Sequence, residues 1–512
     1  PEVPSERSVV PATNADWPTT RPEITGFKAT SSLKDVDGFL DQLVSLGAPL
    51  ERRVLGVSDR GRKIPLLLCA SPMPADAAEA RESGRLVIYL QANIHGGEIE
   101  GKEVTLMLLR EIAAGLHPHW LANTVILCTP VYNVDGNEAW GEGLINRAHQ
   151  HGPERIGERE NGKGLDLNRD CMKAESPEMQ GALSEIYNRW DPDLVLDLHT
   201  TNGTRHGYTL TYAPPLHPDT DTALLDFTRD QLLRPAHARM RDQWGEETND
   251  FGNVQEHASV RGWYTFSPLG RYVSNYAGLR NRIAVLTEAT SYLPLETRIK
   301  STHRFVSTIL DLASSHKQKI ADLCREADRK TAQGKVQRLS TGWSFASRGE
   351  EPLHLETPDS NRAPHEPPES LASETLPVYD RFETSSSRPL PRAYWLPAGE
   401  TRIIAVLQRH GIKVEPCDSE TSIAVESFLI TSVFQHSGLS EGHRTIELKG
   451  SWQPGEISKV TAESGYRIST RQPLARLIFH LLEPDLEDSL IAWNFATGIL
   501  QKGGSAPMLR IR

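Results

Sequence analysis

The stretch QANIHGGEIEGKE, residues 91–103, separates a histidine from a glutamate by two glycines. It directly follows the apolar run RLVIYL, whose short length and β-branched residues predict a buried strand. Because Gly96 and Gly97 have no Cβ atom, the backbone can turn sharply there and bring His95 and Glu98 toward one point. Two such side chains at the end of a strand suit a zinc ion, provided that a third ligand comes from elsewhere.

Other apolar runs indicate the fold around this stretch. NTVILCTPV, PDLVLDLH and RIAVLTEA read as short strands, and they alternate with helical patterns such as EVTLMLLREIAAGL. We therefore predict an α/β fold, with a mixed, mostly parallel twisted sheet flanked by helices on both faces.

Length and composition limit the class of protein. The 512 residues exceed what one hydrophobic core usually holds, so we expect two or more domains. A net charge of -11 is unlike the basic surface of a nucleic-acid-binding protein, and no apolar run approaches the roughly 20 residues that a membrane helix needs. Five cysteines without CxxC spacing indicate neither a cysteine zinc site nor a dense disulfide framework, and leave room for one or two bridges.

The composition divides the chain into four regions. Residues 1–30 form a polar, Pro-rich N-terminal extension, and 31–335 carry the α/β pattern. Residues 336–392 are rich in Pro, Ser and Glu, which predicts a linker or long loop, and 393–512 predict a small mixed α/β domain. The polar start at Pro1 is typical of a mature chain that has lost a signal peptide, so we expect a secreted or periplasmic protein.

A third zinc ligand and a general base can be placed at the ends of two other predicted strands. His199 ends PDLVLDLH, and a short ligand pair followed by one distant histidine is a common layout for a catalytic zinc with an open fourth position. Glu288 ends the strand in RIAVLTEA, at the carboxyl edge where sites of open α/β sheets gather. We identify it as the candidate base that takes a proton from the attacking water.

With these motifs in place, the sequence resembles the zinc carboxypeptidase (M14) family, the carboxypeptidase A-like metallopeptidases, over residues 31–315. HGGE is similar to the family's HxxE zinc pair, VYNVDGNE to its Asn-x-Asp-Gly turn and GLDLNRD to its Asp-x-Asn-Arg segment. LDLH and LTEA look like the strands that bear the last ligand and the base. The motifs occur in the family's order, which makes the combination far more specific than any one of them.

The resemblance implies roles for the metal-binding side of the site. One zinc ion would be bound by His95, Glu98 and His199. Glu288 would act first as general base and later as proton donor to the leaving amine. Asp166 would accept a hydrogen bond from the ring of His95 and thereby fix its tautomer.

It also implies residues that bind the substrate. Asn168 and Arg169 would hold the terminal carboxylate, which a guanidinium can bind through two parallel hydrogen bonds. Arg147 would stabilise the oxyanion, and Arg155 in the same loop is the alternative.

Digestive members of the family place a mobile tyrosine before the base, and here several residues compete for that position. Basic residues in the same stretch suggest acidic substrates. The tyrosines are Tyr264, Tyr272 and Tyr276, and the basic residues are Arg271, Arg280 and Arg282.

We predict from these features a zinc-dependent carboxypeptidase that removes the C-terminal residue from peptides with a free terminal carboxylate. The same site is compatible with cleavage of cell-wall muropeptides or of N-acyl amino acids. A non-catalytic binding protein on a peptidase scaffold is the alternative from another class, and the presence of every ligand and the base counts against it. No role follows from the sequence for the C-terminal domain.

Overall fold

The computed structural model describes residues 17–357, 362–417, 423–457 and 464–511. Up to residue 335 the strands are β1 (Leu50–Val57), β2 (Lys63–Cys69), β3 (Leu86–Ala92), β4 (Thr124–Thr129), β5 (Gly141–Glu142), β6 (Arg155–Ile156), β7 (Leu194–Thr200), β8 (Leu210–Ala213), β9 (Thr248–Asp250), β10 (Asn253–His257), β11 (Val260–Tyr264) and β12 (Ile283–Ala289). Beyond it they are β13 (Arg338–Ala346), β14 (Glu350–Glu356), β15 (Leu371–Tyr379), β16 (Arg381–Pro389), β17 (Ala393–Pro397), β18 (Glu415–Pro416), β19 (Ile423–Gln435), β20 (Ile446–Ile457), β21 (Gly465–Ser469) and β22 (Ser505–Ile511).

Helices connect and cover these strands. They are α1 (Arg21–Thr25), α2 (Leu33–Ser45), α3 (Ala77–Glu82), α4 (Glu100–Ala113), α5 (Pro118–Asn123), α6 (Val134–Asn137), α7 (Gly143–Asn146), α8 (Pro177–Ala182), α9 (Thr222–Phe227), α10 (Arg234–Trp244), α11 (Val273–Leu279), α12 (Leu295–Ser315), α13 (Lys317–Ala332), α14 (Thr401–Arg409) and α15 (Ala475–Leu482). Among the helices of the described ranges, none is long and apolar enough to cross a bilayer.

An eight-stranded mixed sheet forms the centre of the molecule, in the order β1-β2-β4-β3-β7-β12-β8-β9. Its central strands β4, β3, β7 and β12 are parallel to one another, and the strands next to them, β2 and β8, run antiparallel to them. Helix α4 packs on β3 and β7 and against α12, and α11 packs on β7 and β12. The predicted α/β fold with a mixed, helix-flanked sheet is confirmed.

The register of the parallel strands gathers polar residues at one edge of the sheet. In β7 every residue is buried, so the strand is covered on both faces, and Asp197 and His199 lie on the same face because side chains alternate. The pairing of β12 with β7 sets Glu288 directly beside His199. The pairing of β3 with β7 ends at Ala92, so the turn that follows β3 begins at the same edge.

The prediction of a linker or long loop over residues 336–392 is wrong for the described part of that stretch. It forms β13–β16, and β14 and β15 join β10 and β11 in a four-stranded sheet. Leu353, Leu376 and Val378 are buried against Trp263 of β11. Composition failed as a guide because the apolar partner of these strands comes from a hairpin far away in the sequence.

The described residues beyond 392 form an antiparallel sheet in the order β18-β21-β17-β22-β19-β20, and α15 contacts α11 and α13 of the preceding part. The apolar residues of this region belong to the same continuous core as those of the large sheet.

At the other end of the chain, residues 1–16 of the predicted extension lie outside the described ranges, and Glu23 of α1 accepts hydrogen bonds from Arg110 of α4. Cys69, Cys128, Cys171 and Cys324 are buried free thiols, so no disulfide is formed among these four.

Candidate metal centre and active site

A tight turn after β3 carries the first two predicted ligands. The N–H of Glu98 donates to the carbonyl of His95 over 3.0 Å, which closes a four-residue turn. The glycines inside it are required for a different reason from the one that we expected, because neither adopts a left-handed φ. A Cβ on Gly96 would clash with the backbone of Gly136, and one on Gly97 would lie 2.9 Å from Arg147 Cδ. Close packing against neighbouring loops therefore explains the Gly-Gly pair.

The turn and strand β7 bring the three predicted ligands together in a buried cluster. His95 Nδ1 lies 2.9 Å from Glu98 Oε1, and His199 Nδ1 lies 3.0 Å from Glu98 Oε2. One ligand atom of each residue lies within 4.8 Å of the others. Burial would raise the pKa of Glu98, but His95 and Arg147 hold it well below the ordinary value, so the carboxylate stays ionised.

Two carboxylates hold the imidazole rings in the same tautomer. His95 Nε2 lies 3.0 Å from Asp166 Oδ1, as the resemblance implied, and His199 Nε2 lies 2.9 Å from Asp197 Oδ2. If each ring donates through Nε2 to its carboxylate, Nδ1 of that ring can serve as a ligand of a metal ion bound at the cluster. Sequence reasoning missed Asp197, although its position two residues before His199 on a strand places both on one face.

The donor set fits a zinc ion. Nδ1 of His95 is buried and has no hydrogen-bond partner, because Glu98 Oε1 is near but not aligned to accept from it. An unpaired buried nitrogen is costly unless it binds something. Two imidazole nitrogens and one carboxylate, with a position left for a fourth ligand, form the usual set of a catalytic zinc site.

A second group of side chains among the described residues could bind a metal ion, but its members already form hydrogen bonds with other protein groups. His217, Asp219 and His480 lie close together where α15 meets the loop after β8. Asp219 Oδ2 accepts from His480 Nε2 over 2.7 Å and from the N–H of Ser340 over 3.0 Å. His217 Nδ1 accepts from the N–H of Asp219 over 3.1 Å. We therefore interpret this group as a hydrogen-bonded connection between the two parts of the chain.

Glu288 lies at the end of β12 beside the predicted ligands and lines the same cavity. Burial raises its pKa to about 8, an effect that His199 opposes and the charge of Glu98 reinforces. A divalent cation bound beside it would lower this pKa toward neutrality. A carboxylate in this environment has the proton affinity that a general base needs.

The cavity in front of the cluster has a volume of about 310 Å³. The cluster and Glu288 line it together with several aromatic and aliphatic side chains. Its lining residues are His95, Glu98, Arg159, Asn168, Arg169, Asp197, His199, Thr200, Asn202, Phe251, Phe266, Tyr272, Val273, Ser274, Leu286 and Glu288.

The two residues assigned to carboxylate binding both line this cavity. Asn168 Oδ1 accepts from the N–H of Val273 over 3.1 Å, so its amide NH2 is the group available to an anion. The guanidinium of Arg169 lies over the ring of Tyr272, 4.5 Å from its centre, and Nη1 donates to the carbonyl of Asn168 over 2.8 Å. These contacts orient Arg169 and leave further N–H groups for a ligand.

The structure places Arg147 behind the metal cluster, outside the cavity lining. Its Nη1 donates to Glu98 Oε1 over 2.8 Å, and Nη2 donates to the carbonyl of Thr200, also over 2.8 Å. Arg155, the alternative, is exposed and donates to a main-chain carbonyl. Arg159, which sequence reasoning missed, does line the cavity and donates to Asp166 Oδ2 over 2.8 Å.

Among the three candidate tyrosines, only Tyr272 lines the cavity. Tyr264 is stacked on Tyr379, and the hydroxyl of Tyr276 lies 2.7 Å from His410 Nδ1 in the core.

The three basic residues that suggested acidic substrates, Arg271, Arg280 and Arg282, do not line the cavity, so that suggestion is not supported. Arg271 pairs with Asp488, and Arg282 pairs with Asp191. Arg280 is buried and donates to main-chain carbonyls and to Tyr276.

Comparison with known proteins identifies the family of the chain. The zinc carboxypeptidase family model, Peptidase_M14, matches residues 39–304, more than half of the chain. The chain therefore belongs to the zinc carboxypeptidase (M14) family, and it is a metallopeptidase of the carboxypeptidase type.

Individual relatives are distant. Carboxypeptidase 2 of Trichophyton rubrum is 21% identical, over 93% of this chain and 86% of the relative. Carboxypeptidase D of Rattus norvegicus is 33% identical over 29% of this chain and 11% of its own length. A metallo-carboxypeptidase structure from Burkholderia cenocepacia superposes with a TM-score of 0.42 at 15% identity, covering 56% of this chain and 70% of that one.

Proposed function

We propose that this protein is a zinc-dependent metallocarboxypeptidase that hydrolyses the C-terminal peptide bond of peptides with a free terminal carboxylate. The observation that carries the proposal is the single cavity that joins the His95, Glu98 and His199 cluster, Glu288 and Arg169. A metal site, a base and an anion-binding group then face one substrate.

The three clustered residues would hold one zinc ion through two Nδ1 atoms and a carboxylate. When bound, zinc would supply the Lewis acidity that lowers the pKa of a water ligand and polarises the scissile carbonyl. Asp166 and Asp197 keep the two rings in the tautomer that this binding needs.

Glu288 supplies the proton transfers. Its carboxylate accepts a proton from the attacking water and later gives it to the nitrogen of the leaving amine. The register of β12 against β7 holds it beside His199 with no loop in between, which keeps the distance between base and cluster fixed.

Arg169 and Asn168 bind the terminal carboxylate of the substrate. A guanidinium forms two parallel hydrogen bonds with a carboxylate, so it selects a chain end over an internal peptide bond. Tyr272 stacks on Arg169 and holds the guanidinium in place.

We assign stabilisation of the oxyanion to Arg159 in place of Arg147. Both arginines contact Glu98, but Arg159 lines the cavity, where it also donates to Asp166, whereas Arg147 lies outside the cavity lining and donates to main-chain carbonyls. A preorganised cation near the reacting carbonyl stabilises the charge that develops there. Arg147 would then orient Glu98.

The cavity lining favours an apolar C-terminal residue. Phe251, Phe266, Val273 and Leu286 line it, and the carboxylates in the lining all belong to the metal cluster, its supports or the base. Burial of an aromatic or branched side chain against these residues is favourable, whereas a charged side chain would lose hydration without a partner.

Blocked dipeptides with aromatic, aliphatic, acidic and basic terminal residues test the proposal, each as a free acid and as an amide, with and without a zinc chelator. We expect chelator-sensitive hydrolysis of the free acids, fastest for aromatic and aliphatic termini. Equal cleavage of the amides would refute a carboxypeptidase. Hydrolysis of muropeptides or N-acyl amino acids alone would favour the alternative substrates.

The variant Arg169→Ala tests carboxylate recognition in the same assay. Loss of a charge-assisted hydrogen bond costs about 1.5–3 kcal/mol, so kcat/KM for the free acids should fall about 10- to 100-fold. Arg325→Ala, which removes an exposed arginine paired with Asp322 on α13, is the matched control and should behave as wild type. An Arg169→Ala enzyme with unchanged kcat/KM would remove Arg169 from this role.

A further inference from the structure

Both segments that form the carboxylate-binding side of the cavity rest on the C-terminal region, residues 393–512. The first segment, residues 165–175, carries Asp166, Asn168 and Arg169. The second, residues 271–274, carries Tyr272 and Val273. Side chains of the C-terminal region hold each of them at several points.

The first segment is held by the β19–β20 loop, residues 436–445. Glu441 Oε2 accepts the main-chain N–H of Asp166 over 2.8 Å. Glu441 itself has a φ of 48°, in the left-handed region that non-glycine residues seldom adopt, and Gly442 follows with a φ of 79°. A strained conformation persists only where the surrounding contacts determine it, and it is common at functional positions. The loop tip is therefore shaped to bring this carboxylate to Asp166.

Further contacts hold the first segment along its length. His443 of the same loop pairs with Glu175, and its ring stacks on Phe495 with ring centres 5.4 Å apart. Lys173 lies over the ring of Trp493, 4.5 Å from its centre. The segment is thus fixed at its beginning and at its end by the C-terminal region.

The second segment is fixed by the same group of residues. The carboxylate of Asp488 accepts two hydrogen bonds from Arg271, one from the main-chain N–H over 3.0 Å and one from the side-chain Nε–H over 2.7 Å. The guanidinium of Arg271 also lies 4.9 Å from the ring centre of Trp493. Trp493 consequently contacts a cation from each segment, Lys173 from the first and Arg271 from the second.

We infer that the C-terminal region completes the carboxylate-binding side of the active site and that Glu441 is a positioning residue for it. This inference rests on the proposed function for its consequence in catalysis. Glu441 acts through Asp166, because it accepts a hydrogen bond from the main-chain N–H of that residue. The carboxylate of Asp166 in turn orients His95 and accepts a hydrogen bond from Arg159. Removal of the carboxylate at 441 would free the turn that carries Asn168 and Arg169, and would loosen a support of one zinc ligand.

The test compares Glu441→Ala, Glu441→Gln and Glu447→Ala as zinc-loaded full-length enzymes. Glutamine keeps an oxygen that accepts the Asp166 N–H, so it should restore what alanine removes. Glu447 lies exposed on β20 of the same hairpin and pairs with His436, which makes it the matched control. Zinc affinity is measured by chelator competition without substrate, KM and kcat with a blocked free-acid dipeptide, and the melting temperature by calorimetry.

We expect Glu441→Ala to bind zinc about 3- to 10-fold more weakly, because Asp166 then supports the ligand His95 less firmly. We also expect KM to rise about tenfold with a smaller change in kcat, because the turn that carries Asn168 and Arg169 is no longer held in place. Glu441→Gln and Glu447→Ala should stay near wild type, and the melting temperature should hardly change. Unchanged zinc affinity and KM in Glu441→Ala would overturn the inference, as would equal losses in both Glu441 variants together with a lower melting temperature. Weaker zinc binding in Glu441→Ala of a protein that cleaves no peptide would support the positioning role and refute the proposed function.

Discussion

At the scale of single residues, the site depends on carboxylates that differ in their surroundings. Glu98 stays ionised because histidines and Arg147 surround it, whereas burial raises the pKa of Glu288 to about 8. One carboxylate is therefore suited to bind a cation and the other to exchange a proton. Asp166 illustrates a third role: burial would raise its pKa, but His95 and Arg159 keep it low, so it remains an acceptor for the ring.

Replacement of Glu288 by glutamine tests its role as base. Glutamine keeps the size of the side chain but cannot accept the proton, so kcat should fall about 10²- to 10⁴-fold while zinc stays bound. Glu296→Gln, an exposed glutamate that pairs with Lys300 on α12, serves as control and should retain full activity. Near-normal turnover of Glu288→Gln, with zinc content confirmed by metal analysis, would contradict the assignment.

At the scale of elements, the site is built where three adjacent parallel strands end. The turn after β3, the end of β7 and the end of β12 each supply one part, and ladder pairing fixes their relative positions. The turn after β3 depends in addition on the close approach of helix α6 at Gly136, which only a residue without a Cβ atom permits at position 96.

The variants Gly96→Ala and Gly38→Ala should change stability in opposite directions. A methyl group at 96 clashes with the backbone of Gly136 and should destabilise the protein by about 1–3 kcal/mol and weaken zinc binding. Gly38 lies exposed inside α2 with open space around it, so alanine there should stabilise by about 0.5–1 kcal/mol. Melting temperatures and zinc titrations measure both effects. A Gly96→Ala protein as stable as wild type would show that the packing argument is wrong.

At the scale of the whole molecule, the C-terminal region and the large sheet share one hydrophobic core. Tyr394, Leu407 and Leu477 belong to the same buried cluster as the strands of the large sheet. Polar contacts also cross between the two parts, among them Arg476 with Asp221. The division at residue 393 thus describes the order of the elements along the chain and not two separate cores.

We expect the full-length protein to unfold in one cooperative thermal transition. Because the two parts share one core, unfolding of either part would expose apolar surface of the other, so we expect them to unfold together. Because zinc binds the folded state, a chelator should move the whole transition to a lower temperature. Calorimetry with and without chelator measures this. Two resolved transitions, with only one sensitive to the chelator, would contradict a shared core.

The sequence by itself indicated the parts of the site that lie within short motifs. The HGGE turn and the LDLH and LTEA strand ends predicted the ligands and the base, because strand ends of a parallel sheet meet at one edge. The carboxylate-binding pair in the DLNR segment was predicted from the resemblance to the family. The α/β fold followed from the same strands, whose apolar runs can be read without knowledge of their neighbours.

The tertiary structure alone decided everything that depends on partners distant in the chain. It placed Arg159 in the cavity and Arg147 behind Glu98, selected Tyr272 among the tyrosines, and paired Glu441 with Asp166 across 275 positions. It also turned the Pro- and Ser-rich stretch into strands, because apolar side chains of β14 and β15 pack on Trp263 of a hairpin about 90 to 115 residues earlier in the chain. The physical reason is common to all these cases: a side chain's role is set by what packs against it, and local sequence specifies a partner only when that partner is near in the chain.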